Sequence, residues 1–179
     1  KIKKVDQLLK IVGNFPRKKK IIMCHGNFDI VHPGHVRHLT YAKSKAAILI
    51  ASITADKMIK KGTHRPHVPQ KLRALNLAAF EMVDYVIIDN NVTPINNIKK
   101  IKPDYFAKGF EYTAKSLPPA TTEEKKIVEK YGGKMIFTPG DIVYSSSRLL
   151  NIAEPSINLD KLLNVMNEYN IEFKNLEEI

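Results

Sequence analysis

All six histidines of the chain lie between positions 25 and 67: His25, His32, His35, His38, His64 and His67. Four fall in one stretch, His25-Gly26-Asn27-Phe28-Asp29-Ile30-Val31-His32-Pro33-Gly34-His35-Val36-Arg37-His38, directly after a short apolar run. Pro33 fits early in a helix, where its missing N–H is no loss, so His32 precedes a helix start and His35 lies in the first turn. Gly34 lets a ligand approach the backbone closely. A helix N-terminus offers free amides and a partial positive charge. Two imidazoles beside it make a compact anion site suited to a polyphosphate. The same pair could simply cap the helix. Metal ligation by the pair is disfavoured, because Asp29 alone does not complete a ligand set and no carboxylate or cysteine cluster accompanies it.

The elements that must hold this segment are legible from periodicity. Val5, Leu8, Leu9 and Val12 have helical spacing. Ile21–Cys24 reads as a buried strand ending at His25-Gly26, followed by a helix from Pro33 to about Lys43. Residues 46–53 form a second strand, 62–69 a loop, and 70–80 a helix with Leu72, Leu75, Leu77 and Ala79 facing inward. Tyr85–Ile88 is a third strand, 94–101 a short helix, and Tyr105–Ala107 a fourth strand ending at Lys108-Gly109. Residues 123–131 are helical and end at Gly132-Gly133. Lys134–Phe137 is a fifth strand, and a further helix begins at Ser145. Strands alternating with helices predict an α/β fold with a mostly parallel five-stranded sheet, with ligands at the carboxyl ends of the strands where the strand order switches. Residues 1–151 form the expected main domain. Residues 152–179, with Leu159, Leu162, Leu163 and Met166 at helical spacing, form a C-terminal helical extension or linker.

Composition bounds the function. The chain has 179 residues, 44% hydrophobic and 26% charged, enough to bury a core and too apolar for wholesale disorder. No apolar run approaches the roughly 20 residues that span a bilayer. The single cysteine, Cys24, ends a buried strand and reads as core. It cannot form an internal disulfide, and a cytoplasmic protein is expected. The net charge of +11 invites a nucleic-acid reading. However, the excess is mostly lysine, much of it in the first 20 residues, with no aromatic interleaving. A solvated, lysine-rich surface is preferred, one whose field would still gather nucleotides and sugar phosphates.

The stretch His25–Leu39 resembles the nucleotidyltransferases with a His-x-Gly-His signature. The likeness extends to Ser52–Asp56, Lys60-Lys61-Gly62, Arg65-Pro66, Leu72–Ala74 with Val83–Val86, Lys102–Asp104 with Lys108-Gly109, and Tyr144–Ser147. Together these are similar to the heptose-phosphate branch and cover roughly residues 1–151. The resemblance implies a Rossmann-like three-layer sandwich that transfers NMP from an NTP, ATP or CTP, to a sugar phosphate, releasing pyrophosphate without a covalent enzyme intermediate. In that reading His32 and His35 hold the triphosphate, and Lys61 or its neighbour Lys60 neutralises phosphates from a loop. Asn27, Phe28 and Gly34 bind nucleotide, as do Lys108-Gly109, whose main chain could read the base. Ser145, Ser146 and Ser147 bind the β- and γ-phosphates. Arg73 is a phosphate ligand by resemblance and a surface ion pair by its residue type. Magnesium is bridged by phosphates, with no direct protein ligand. The pattern is also similar to nucleotidyltransferase domains fused ahead of a sugar kinase, and a homo-oligomer is expected.

Other residues have humbler expectations. Asp29 shapes the strand-to-helix turn by accepting amide hydrogens, Asp56 caps a helix, and His38 is a helix residue. His64 and His67 are solvated or meet the acceptor phosphate. The late motif is Ser145-Ser146-Ser147, where adenylyl transfer commonly shows Ser-Thr-Thr. Pro139–Tyr144 departs from the Arg-Thr-Glu-Gly common in glycerol-phosphate cytidylyltransferases. A cytidylyltransferase of a small polyol or amino-alcohol phosphate is the close alternative. An aminoacyl-tRNA synthetase relative is disfavoured, having no room for a tRNA-reading domain. An anion- or nucleic-acid-binding module is the non-enzymatic alternative. Neither a P-loop nor a G-x-G-x-x-G fingerprint is present.

Overall fold

The computed structural model describes residues 1–60, 65–109 and 117–138, all within the compact unit Lys1–Ser146. The expected boundary after Asn151 and the expected helix from Ser145 lie outside the described residues.

Five strands, β1 (Ile21–Gly26), β2 (Ile48–Thr54), β3 (Tyr85–Asp89), β4 (Tyr105–Lys108) and β5 (Lys134–Phe137), form one sheet in the order β3-β2-β1-β4-β5. Every pairing is parallel. The helices are α1 (Val5–Val12), α2 (Pro33–Lys43), α3 (Gln70–Ala79), α4 (Ile95–Ile101) and α5 (Pro119–Lys130). Successive crossovers run outward one way from β1 to β3, then outward the other way from β4 to β5. Parallel crossovers share one hand, so this reversal puts the two sets of helices on opposite faces. The cores agree. Leu39 and Ala42 of α2 and Ala74 and Leu77 of α3 pack with Ile22, Cys24, Leu49, Ala51 and Val86. Leu8 of α1, Ile98 and Ile101 of α4 and Val128 of α5 pack with Ile21, Met23, Ile50, Ile87 and Phe106. The central strands are apolar on both faces because both are covered. The expected α/β, Rossmann-like sandwich is therefore observed, and the reversal between β1 and β4 opens a crevice at their carboxyl ends.

At the amino ends two aspartates clamp strand starts. Asp84 Oδ2 accepts from the Leu49 amide at 2.7 Å and pairs with Lys43 Nζ at 2.5 Å. Asp104 Oδ2 accepts from the Ile21 amide at 2.9 Å. Two motifs of the sequence resemblance, around Asp84 and Asp104, thus sit at the edge opposite the crevice.

The sequence reading needs two corrections. Helix α3 does not turn Leu72, Leu75 and Ala79 inward; Leu72 and Leu75 are 53% and 59% exposed, and Arg73, Ala74 and Leu77 are buried. The fully buried Arg73 side chain sets the rotation of the helix, for reasons given below. Helix α5 begins at Pro119 rather than Glu123, because a proline at the first helical position costs no hydrogen bond. The α5–β5 turn is tight. A Cβ on Gly133 would lie 2.9 Å from the Pro103 carbonyl oxygen and 2.7 Å from the Tyr131 ring. Gly133→Ala is expected to cost about 1–3 kcal/mol, read as a lower urea midpoint at unchanged slope.

Candidate active site at the switch point

Strand β1 runs into the crevice with His25 and Gly26. The chain then turns through Asn27 and through Phe28, whose φ of +48° lies in the left-handed region. The Phe28 ring folds back over Gly26, where a Cβ would stand 3.3 Å from Cε2. The ring also tilts against His35, centroids 5.0 Å apart. Phe28 is 4% exposed, so its work here is to pack the turn.

His32 is the N-cap of α2, and its Nδ1 accepts from the Gly34 amide at 3.2 Å. An accepting Nδ1 is unprotonated, so the neutral ring carries its hydrogen on Nε2. The His32 and His35 rings lie 3.9 Å apart at 33°. His35 Nδ1 is buried without a hydrogen-bond partner. Burial, then the nearness of two more titratable rings, His32 and His38, push the His35 pKa down to about 3, opposed by a hydrogen bond that the ring donates to the Ile30 backbone. The capping reading of the pair therefore holds for His32. His32 caps through Nδ1, which leaves the ring hydrogen on Nε2. The two rings thus stack at the N-terminus of α2, where backbone amides are unpaired by the helix itself.

Beneath the pair, polar side chains close the strand ends. His25 Nδ1 lies 2.9 Å from Ser52 Oγ, and its Nε2 lies 3.3 Å from Thr54 Oγ1. Burial and the Lys108 charge hold the His25 pKa down to about 3. Lys108, which closes β4, pairs with Glu124 of α5 at 2.7 Å, and both side chains are nearly fully buried. Burial raises the Glu124 pKa, and Lys108 opposes the rise. The Lys108 carbonyl accepts from the Thr138 amide at 2.9 Å and from its hydroxyl at 3.3 Å, just past the end of β5.

Arg73 is neither a surface ion pair nor placed as a phosphate ligand. It is 0% exposed. Its Nε donates to the Val68 carbonyl at 2.9 Å, Nη1 to the Asn27 carbonyl, and Nη2 to the Thr54 carbonyl at 2.8 Å and to Asp56 Oδ1 at 2.6 Å. The guanidinium ties together the turn after β1, the end of β2 and the approach to α3. Burying a cation requires such complete pairing, which is why α3 is phased by this residue and not by its leucines. Asp56 does cap a helix, as expected: its Oδ2 accepts from the Gln70 amide at 3.0 Å. Asp29 accepts amide hydrogens, but from His67 at 3.1 Å and Val68 at 2.9 Å rather than within its own turn. His67 is exposed, as is Lys60, while Asn27, Gly34 and Gly109 are half-buried. Lys61, His64, Ser145, Ser146 and Ser147 lie outside the described residues. Cys24 is fully buried with its thiol pKa raised, which leaves it inert in the core.

Sequence reasoning missed Glu124 and Thr138. Glu124 falls at helical spacing between Thr121 and Val128, both buried, which was a usable signal. Thr138 carried none.

A parallel sheet with a switch-point crevice and an anion-ready helix start defines a nucleotide-binding α/β enzyme. Residues 23–152 match the cytidylyltransferase-like family model, and the chain belongs to that family and is a nucleotidyltransferase. It is 38% identical over 138 residues to the bifunctional protein HldE of Geobacter metallireducens, covering 75% of this chain and 27% of that protein. It is 40% identical over 121 residues to the HldE of Nitratiruptor sp., covering 66% and 26%. The chain thus spans about a quarter of the length of these relatives. Among solved structures, the lipopolysaccharide core biosynthesis protein of Thermoplasma volcanium is similar with a TM-score of 0.58 and 20% identity, over 71% of this chain and 99% of that one. The pantoate-beta-alanine ligase of Francisella tularensis gives 0.60 at 17% identity, over 89% and 76%. These two likenesses concern the fold. No helix among the described residues is long and apolar enough to cross a membrane.

Two outcomes follow from the geometry. Arg73→Met is expected to cost about 3 kcal/mol or more, since it strands three buried carbonyls and half of an ion pair, and guanidinium denaturation measures it. Acid is expected to destabilise the fold early. His25, His35 and His38 are held near 3, 3 and 4 when folded and return toward 6.5 when unfolded, so the unfolded chain binds more protons. Stability is full above about pH 6.5 and falls toward pH 4, by about 1.4 kcal/mol per pH unit for each ring. Replacing His38 by Leu removes one proton from that slope, as pH-resolved denaturation would read.

Proposed function

We propose that the protein joins a nucleotide to a phosphorylated sugar, of heptose-phosphate type. A phosphate oxygen of the acceptor attacks the α-phosphorus of an NTP, the bond to the β-phosphate oxygen breaks, and pyrophosphate leaves with the electron pair. The observation that carries the reading is the His32–His35 pair, stacked at the start of α2 in the switch-point crevice of a family member. His32 offers an Nε2 hydrogen to phosphate oxygens. A polyanion beside His35 would raise its depressed pKa and favour the charged ring. Free amides at the helix start add to both. Chemistry of this kind is positioning plus charge stabilisation, and asks no nucleophile of the protein. Lys60 and Lys61 supply loop charge, Ser145–Ser147 hold the outer phosphates, and the turn through Asn27 and Gly34 gives the nucleotide a close backbone approach.

Magnesium fits as an ion carried by the triphosphate, where it neutralises phosphate charge. Of the carboxylates near the strand ends, Asp29 accepts from two backbone amides and Glu124 is paired with Lys108. Among the described residues no cluster of three His, Cys, Asp or Glu could hold a metal.

Support for a sugar acceptor comes from the sequence likeness to the heptose-phosphate branch; the relatives are each named a bifunctional protein, and the match covers 27% and 29% of two of them. This chain would carry one of the two functions, with a sugar kinase as its natural fused partner, a homo-oligomeric state and a cytoplasmic location where nucleotides are supplied. Whether ATP or CTP is used rests on main-chain contacts, with the polyol-phosphate cytidylyltransferase as the second reading.

The test is pyrophosphate release with magnesium, ATP, CTP, GTP and UTP against sugar and polyol phosphates. Turnover with one pair is expected, falling about 10²–10³-fold in His35→Ala with the fold intact. Release that needs no acceptor, or that survives His35→Ala, overturns the reading.

A further inference from the structure

Helix α2 carries a third histidine that the transfer chemistry leaves unused. His38 follows His35 by three residues and so shares its helix face. It meets the strand ends beside the crevice: Nδ1 lies 2.9 Å from Thr138 Oγ1, just past β5, and Thr138 Oγ1 lies 3.3 Å from the carbonyl oxygen of Lys108, the last residue of β4.

These two distances settle the tautomer. A hydroxyl has one hydrogen and a carbonyl only accepts. Thr138 therefore donates to Lys108, and the hydrogen between His38 and Thr138 belongs to His38 Nδ1. A neutral ring so arranged carries its lone pair on Nε2. The ring is neutral, because burial first and the Lys108 charge second push its pKa down to about 4. Among the described residues the hydrogen bond of the His38 ring is the one to Thr138, made through Nδ1. His32 is arranged the opposite way, with its outer nitrogen a donor. One helix face thus carries a donor at its first turn and an acceptor one turn deeper.

The polarity says what each can meet. Phosphate oxygens at neutral pH are acceptors, so His32 suits them and a lone pair on His38 repels them. The groups of a nucleotide that can satisfy His38 are the donors of its nucleoside half. We propose that His38 is a specificity-determining residue whose Nε2 accepts a hydrogen from the bound nucleoside, from a ribose hydroxyl or an exocyclic amine. The inference rests on the transferase reading above and adds one contact, from His38 to the nucleoside half of the bound nucleotide.

Calorimetric titration of the full chain with NTP and magnesium, without acceptor, tests it. In His38→Asn the side-chain amide keeps a donor for Thr138 and removes the acceptor at Nε2. His38→Gln reaches the Nε2 position with a carbonyl oxygen. Asn is expected to weaken binding about five- to tenfold, and Gln to recover most of it, with melting temperatures close to the parent. Of the 2′-deoxy, 3′-deoxy and desamino analogues of the nucleotide that binds, one already lacks the partner. For that one the Asn penalty vanishes, which tells hydroxyl from amine. Thr138→Val, which frees the tautomer, shows a smaller loss with the same analogue dependence, and it stands in if His38→Asn does not fold. Parent-like binding in His38→Asn, or a penalty equal for every analogue, overturns the proposal. Failure of the parent chain to bind any NTP overturns the transferase reading instead.

Discussion

A cation without water must be surrounded, and the burial of Arg73 organises this site. Its guanidinium takes carbonyls from Asn27, Thr54 and Val68 and a carboxylate from Asp56. Those groups belong to the turn that carries the histidines, to the end of β2 and to the approach to α3. Backbone carbonyls at strand ends have no ladder partner of their own, and left buried they would cost more than the hydrogen bonds contribute elsewhere. One side chain answers three of them. The price is paid by α3, which exposes Leu72 and Leu75 so that Arg73 can reach inward.

Above that brace the site is built from neutral polar groups. His25, His35 and His38 are all held uncharged by burial and by one another's surroundings, with Lys108 acting on two of them. Neutral rings can stack at 3.9 Å where two imidazolium ions would repel. They also keep directional lone pairs and hydrogens, which a cluster of cations lacks. Fixed positive charge is supplied differently: by amides at the start of α2, and by Lys108, itself balanced by Glu124. The crevice thus presents oriented dipoles first and charge second, an arrangement that needs little reorganisation when charge develops beside it.

Much of this was legible in the sequence, for a physical reason. Strand and helix periods differ, so Ile21–Gly26 and Pro33–Lys43 announce themselves, and Pro33 fixes where α2 starts. Five strands separated by helices leave few topologies, and the crevice follows from their order. The histidine pair was legible because its residues are adjacent along the chain. Arg73 was misread because its partners are not. The three carbonyls it serves lie between 5 and 46 residues away, and carbonyls carry no residue signature. Leu72 and Leu75 misled for the same reason: apolar spacing gives a helix a face, and a buried ion pair can override it. Asp29 was given the right chemistry and the wrong partners, since the amides of His67 and Val68 come from the segment leading into α3.

The two aspartate clamps lie at the amino edge of the sheet. Asp84 and Asp104 secure the starts of β2 and β1 through main-chain amides, and neither reaches the other edge. Inheritance can therefore treat the two edges separately. Lineages that exchange one base or one acceptor for another need alter only loops and side chains at the carboxyl edge, while the amino edge keeps the strand register that makes each exchange survivable. A family built this way can diversify its substrates faster than its scaffold.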